Sequence, residues 1–235
     1  MGNADNKMYA NDYIRYFDFN LDLLEKAYFV EEVIKGIPIK NAVSREFEDK
    51  QIIEAFLDEG EIGPIVVAWK AGRIKNNDIE MLDGNYLNGY GRQIDKQKMD
   101  TFLDNVTKAC KNIKNWTSDY FSEIYKTVID AAEIPGYFGV VYIINLIFFL
   151  SKGDLPIYDK FAHKALKSLY MGKKPCEVYV GSAPGDKKKI AEVSAMYMEY
   201  IWLLEKVFGK YKIDRKTDRA LWAFGHATSE WSLDK

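Results

Sequence analysis

The 235-residue sequence predicts an all-α fold, and three observations carry that prediction. Apolar residues recur at helical spacing along most of the chain. The run from Val140 to Leu150 is apolar at nearly every position, which describes a helix buried on all sides. Glycine and proline interrupt these patterns at intervals that suit helix ends. With 48% hydrophobic and 14% aromatic residues, the chain can build a core without disulfides.

Taken in order, the residues up to about Ala10 read as disordered or loosely attached. From Asp12 to Lys35, Tyr13, Tyr16, Phe17, Leu21, Leu24, Ala27, Tyr28 and Val33 give one or two helices, with a break near Asp18-Phe19-Asn20. Gly36-Ile37-Pro38 is a turn, and Asn41 to Leu57 resumes a helical pattern that Gly60 and Gly63-Pro64 stop. Ile65 to Trp69 has the β-branching of a strand, but in this context reads as a buried helix running to Gly72. Asn76 to Asp95, rich in Asn and Gly, reads as a loop. A helix returns from Lys96 to Lys114.

The next stretch organises the rest. Tyr120, Phe121, Ile124, Val128 and Ile129 line one face of an amphipathic helix. Pro135 and Gly136 end it, because proline cannot continue the backbone ladder and glycine accepts positive φ. The hairpin Ile134-Pro135-Gly136-Tyr137-Phe138-Gly139 leads into the apolar run, which is too short for the ~20 residues of a membrane span. Gly153 closes that helix. A Pro-containing loop reaches Asp159, and a further helix follows through Phe161, Ala162, Ala165, Leu166 and Leu169. Met171 to Lys189 is mostly loop, Lys187-Lys188-Lys189 open a long helix to Gly209, and a last helix runs from about Arg215 to Phe224.

The ordered set of hairpin, apolar helix and aspartate resembles the helix-hairpin-helix DNA glycosylases, whose hairpin usually reads Leu-Pro-Gly-X-Gly. Asp159 lies 23 positions beyond Gly136, about where that superfamily carries its catalytic aspartate. The hairpin here is one residue longer. The likeness covers roughly Ser118 to Leu169, and Asp218 to His226 is similar to the end of bacterial chains with an oxoguanine-glycosylase-like fold. The resemblance implies a single domain over 1–235, with a helical subdomain at about 12–114, a catalytic subdomain at about 115–235 and the active site between them. It implies an enzyme that flips a damaged or modified base out of double-stranded DNA and hydrolyses its N-glycosidic bond, in repair or in defence against modified phage DNA. A non-catalytic DNA-binding module that keeps the hairpin, and an all-α protein-interaction domain, are the rival readings.

Two departures narrow this. Members that also cut the backbone carry a lysine just after the hairpin's last glycine, where this chain has Val140 and Val141, so no Schiff-base lyase step is expected. Some relatives hold an iron–sulfur cluster on four cysteines, and this chain has only Cys110 and Cys176. No cofactor is required on this reading, although the family often completes its hairpin with a monovalent cation held by carbonyls.

By that resemblance Asp159 is the catalytic carboxylate. Breaking the base–sugar bond develops positive charge on the deoxyribose, and a carboxylate stabilises it or orients a water toward C1′. At ~4 Å and an effective dielectric near 20, one opposite charge is worth ~4 kcal/mol, roughly a thousandfold in rate. Aspartate is also a preferred helix N-cap, so the same residue fits a purely structural part. Pro135, Gly136, Tyr137, Phe138 and Gly139 are read as holding a phosphate, or else as a plain helix–helix turn. Lys160, His163 and Lys164 follow Asp159 as DNA-contacting residues, while His226 reads as a helix C-cap. Tyr158 and Trp222 are candidates for the wall of a base pocket. The loop from Tyr86 to Arg92 can carry the side chain that fills the gap left by an extruded base, or it is a surface linker.

Net charge is −2, which argues against a nucleic-acid partner, but its distribution argues for one. Lys160 to Arg219 holds fourteen basic and seven acidic residues, and local fields decide whether phosphates are attracted. Two distant cysteines and a polar start without a signal-peptide pattern fit a cytoplasmic protein with no membrane and no obligate protein partner. With two histidines, no metal site is expected.

Overall fold

A computed structural model describes residues 3–30, 50, 53–75, 78–131, 133–136 and 138–226, and among them helix dominates. The helices are α1 (Asn3–Phe19), α2 (Leu21–Val30), α3 (Glu54–Glu59), α4 (Pro64–Lys70), α5 (Lys96–Cys110), α6 (Phe121–Asp130), α7 (Val140–Leu150), α8 (Lys160–Met171), α9 (Ile190–Phe208) and α10 (Arg215–Gly225). The all-α expectation holds in this coarse form. No helix among the described residues is long and apolar enough to cross a membrane.

The sequence signals explain most boundaries. Asn20 breaks α1 from α2, with its side-chain amide donating to the Tyr16 carbonyl at 2.8 Å. Gly60 ends α3 at φ 73°, a left-handed conformation that favours glycine. Asp95 caps α5 through a 2.8 Å bond from Lys98 N, and Asp214 caps α10 from Thr217 N at 2.7 Å; both satisfy a backbone donor that a helix start leaves open. Two expectations are corrected. The segment before Ala10 is helical from Asn3 onward. The Asn76–Asp95 loop lies in a stretch with five short strands: β1 (Ile74–Lys75) and β2 (Asp78–Ile79) pair antiparallel, and β3 (Met81–Leu82), β4 (Asn85–Leu87) and β5 (Gln93–Ile94) form a second small sheet. Asp83 and Gly84 both take positive φ, which is what a two-residue hairpin turn requires. The turn at Gly36-Ile37-Pro38 and most of the Asn41–Leu57 helix fall outside the described residues.

The chain forms two compact units, each drawn from discontinuous segments: residues 1–45, 158–182 and 197–235 in the first, and 46–157 with 183–196 in the second. Sequence order alone draws one boundary, near residue 114.

In the first unit α2 packs on α10, α10 on α8, and α8 on α1. Ala27, Tyr28 and Phe29 meet Ala223 and Trp222 there. Arg219, 3% exposed, donates to Glu25 at 2.8 Å. The second unit is built on α7, against which α3, α4 and α6 pack. Ile143, Ile144, Leu146, Ile147 and Phe149 are fully enclosed, each worth about 1.5–3 kcal/mol on burial. Cys110 is buried at the end of α5, which pushes its thiol up to about 11, whereas Cys176 is exposed.

Candidate functional site

The hairpin between α6 and α7 belongs to the second unit. Its ends are fixed by apolar anchors. Phe138 is 1% exposed and sits with its ring 5.4 Å from Phe102 and 5.1 Å from Tyr142, and Pro135 is buried beside it. Phe138 N closes the turn on the Pro135 carbonyl at 3.2 Å. Gly136, between the anchors, and Gly139, just after them, are exposed, and a Cβ added at either would meet nothing within 4 Å. Gly136 does not use the positive φ that glycine accepts, and Gly139 does not take the left-handed conformation either. Tyr137 lies outside the described residues.

Sequence reasoning did not foresee what reaches this turn. Lys187 donates from Nζ to the Phe138 carbonyl at 3.1 Å. Its own carbonyl accepts from the Tyr125 hydroxyl of α6 at 3.1 Å. The only hint in sequence is the Pro184-Gly185 turn before the Lys187-Lys188-Lys189 run.

A second attachment links α7 to the β4–β5 loop. Gly89 N donates to the Tyr142 hydroxyl at 3.2 Å. Asn88, 3% exposed, organises the loop: its side-chain oxygen accepts from Tyr90 N and Arg92 N, both at 2.9 Å. Arg73 adds bonds to the carbonyls of Asn88 at 3.0 Å and Gly89 at 3.3 Å. The result is a firmly held tip from which Tyr90 projects, 91% exposed. Tyr86 is no candidate for insertion, being buried with its hydroxyl on Asp100 at 2.9 Å.

Asp159 belongs to the first unit and caps α8, with Oδ1 accepting from Phe161 N at 2.8 Å. The carboxylate is half-buried, Lys160 is exposed and Lys164 is half-buried. The C-terminal segment meets this turn directly. The Phe161 ring stacks on His226 at 3.4 Å between centroids and lies 6.4 Å from Trp222. His226 caps α10 as expected, with Nδ1 2.9 Å from the Trp222 carbonyl. Trp222 is partly exposed and packs edge-on to Tyr28 at 5.2 Å.

Two site expectations are corrected by burial. His163, read as DNA-facing, is 1% exposed, and Tyr158, read as a pocket wall, is also 1% exposed. They face each other: the Tyr158 hydroxyl lies 3.3 Å from His163 Nδ1, and Tyr200 encloses both rings at 5.4 and 5.8 Å. His163 Nε2 points at Glu199 Oε2 from 3.6 Å, beyond hydrogen-bond reach. Glu199 is held by Lys167 at 2.7 Å. Burial drives the His163 pKa down to about 4, against the pull of Glu199, because a low-dielectric setting disfavours the charged ring. Burial, and then the charge of Asp159, raise the Tyr158 hydroxyl far above its usual range. Among the described residues no cluster of His, Cys, Asp and Glu could hold a metal ion.

No protein-family model, curated protein or solved structure matches this chain.

Proposed function

We propose that the protein is a helix-hairpin-helix DNA glycosylase that hydrolyses the N-glycosidic bond of a damaged or modified base and leaves an abasic site, without a lysine-dependent lyase step. The observation that carries this reading is the bare hairpin. Gly136 and Gly139 have conformations open to any residue, and nothing in the described chain crowds their missing side chains. Their lack of a Cβ leaves room for something from outside, and the backbone at such an exposed turn suits a phosphate oxygen. Asp159 supplies the carboxylate for the developing oxocarbenium charge. Tyr90, on its braced tip, is suited to fill the gap left by the extruded base. The substrate classes are alkylated, oxidised or hypermodified bases, the last including those of invading phage DNA.

One observation favours the alternative of a non-catalytic DNA-binding module: the Asp159 carboxylate is already engaged as a helix cap. Asp159→Asn separates the two readings, because asparagine caps a helix about as well as aspartate but carries no charge. Wild type, Asp159→Asn and Tyr90→Ala are incubated with duplexes holding alkylated, oxidised, deaminated and glucosylated bases, and abasic sites are counted with an aldehyde-reactive probe. The expected result is abasic sites from wild type, fewer from Tyr90→Ala and a roughly thousandfold slower rate for Asp159→Asn, with strand breaks only after alkali. Release unchanged in Asp159→Asn would remove the aspartate from the chemistry. Salt-sensitive binding without release on any substrate would favour the module.

A further inference from the structure

We infer that Lys187 and Lys188, with the backbone at Gly136 and Gly139, form one phosphate-binding surface in which the Lys187 ammonium is the hairpin's built-in cation. The inference rests on the DNA-binding reading above and names a second chain segment that takes part in it.

Lys187 is anchored at both ends, by Tyr125 on its carbonyl and by the Phe138 carbonyl under its ammonium. An ammonium has three N–H donors, and the Phe138 carbonyl takes one of them. The backbone beyond Lys187 is held as well: Lys188 N donates to Asp186 Oδ1 at 2.9 Å, and Lys189 N to the Asp186 carbonyl at 3.2 Å. The side chains of the exposed lysines divide. Lys189 pairs with Glu192 at 2.8 Å, while Lys188 stands beside Lys187.

This arrangement is short of negative charge. Burial is the main force working against the charged form of Lys187, Lys188 adds to it, and Asp186 works the other way. A phosphodiester above Gly136 and Gly139 relieves this shortage, meeting bare backbone on one side and the ammonium on the other. The Phe138 carbonyl, already holding Lys187, needs no metal cation.

The test is fluorescence anisotropy with a labelled duplex over a KCl series, for wild type, Lys187→Met, Lys187→Arg and Lys188→Met, with thermal melting of each. Each Met variant is expected to lower affinity about five- to tenfold near 0.1 M salt and to reduce the salt slope by about one. Lys187→Arg retains the slope. Replacing K⁺ by tetramethylammonium at fixed ionic strength leaves wild-type affinity unchanged. If wild type binds but the slope is the same in both Met variants, the inference fails and Lys187 is a strut, whatever its effect on melting. A loss of wild-type binding in tetramethylammonium overturns the built-in cation. Wild type that binds no duplex at any salt takes down the DNA reading itself.

Discussion

Among the described residues His163 carries the clearest pH signature. Its ring meets the Tyr158 hydroxyl at Nδ1 and faces Glu199 at Nε2, and Lys167 and Tyr200 complete the surroundings. Its folded pKa of about 4 lies below the ordinary 6.5, so between those values the unfolded chain binds the proton more readily. Stability is therefore full above pH 6.5 and declines as the pH falls toward 4, by up to about 3 kcal/mol. Urea titrations at pH 7.5 and 5.0 are expected to differ for wild type and to converge for His163→Gln; an equal gap in both would assign the loss to other groups. In the sequence this histidine is merely one turn past Asp159. Its burial depends on Tyr200 and Glu199, which belong to another helix, and local periodicity has no access to such a partner.

At the scale of elements, the crossing of α8 and α10 leaves no room for a side chain at Gly225. A Cβ on Gly225 would overlap the carbonyl of Phe161, and both partners are main chain, so neither can turn aside. Gly225→Ala is expected to cost about 2 kcal/mol or more, and with it the seating of the Asp159 turn. Gly136→Ala should change stability by no more than about 0.5 kcal/mol while weakening duplex binding, because its side chain projects into open space. Thermal melting and anisotropy on the two variants check the contrast; equal destabilisation would mean that the hairpin glycine serves the fold. The long helices were legible because apolar spacing, the Asp159 cap and closing glycines agree, while the Asp95 and Asp214 caps emerge only in the structure. The small strands were not, since two or three residues cannot display alternation. Even so, Asp83-Gly84 is a hairpin signal that the surrounding asparagines and glycines obscured.

The whole molecule is organised in a way that no linear reading supplies. Each unit gathers segments far apart in sequence, and among the described helices α9 alone contributes residues to both. Long-range partners such as Glu25 with Arg219 or Lys187 with Phe138 follow from that routing rather than from any motif. The two cysteines fall into different units, Cys110 enclosed in the second and Cys176 on the surface of the first. A thiol reagent at neutral pH is expected to titrate one group in the native protein and two in denaturant; two fast-reacting groups under native conditions would mean that α5 opens readily. For the experimentalist, the chain thus comes with a single natural attachment point. A maleimide dye goes to Cys176 without any cysteine engineering, so single-molecule labelling can begin with the wild-type sequence.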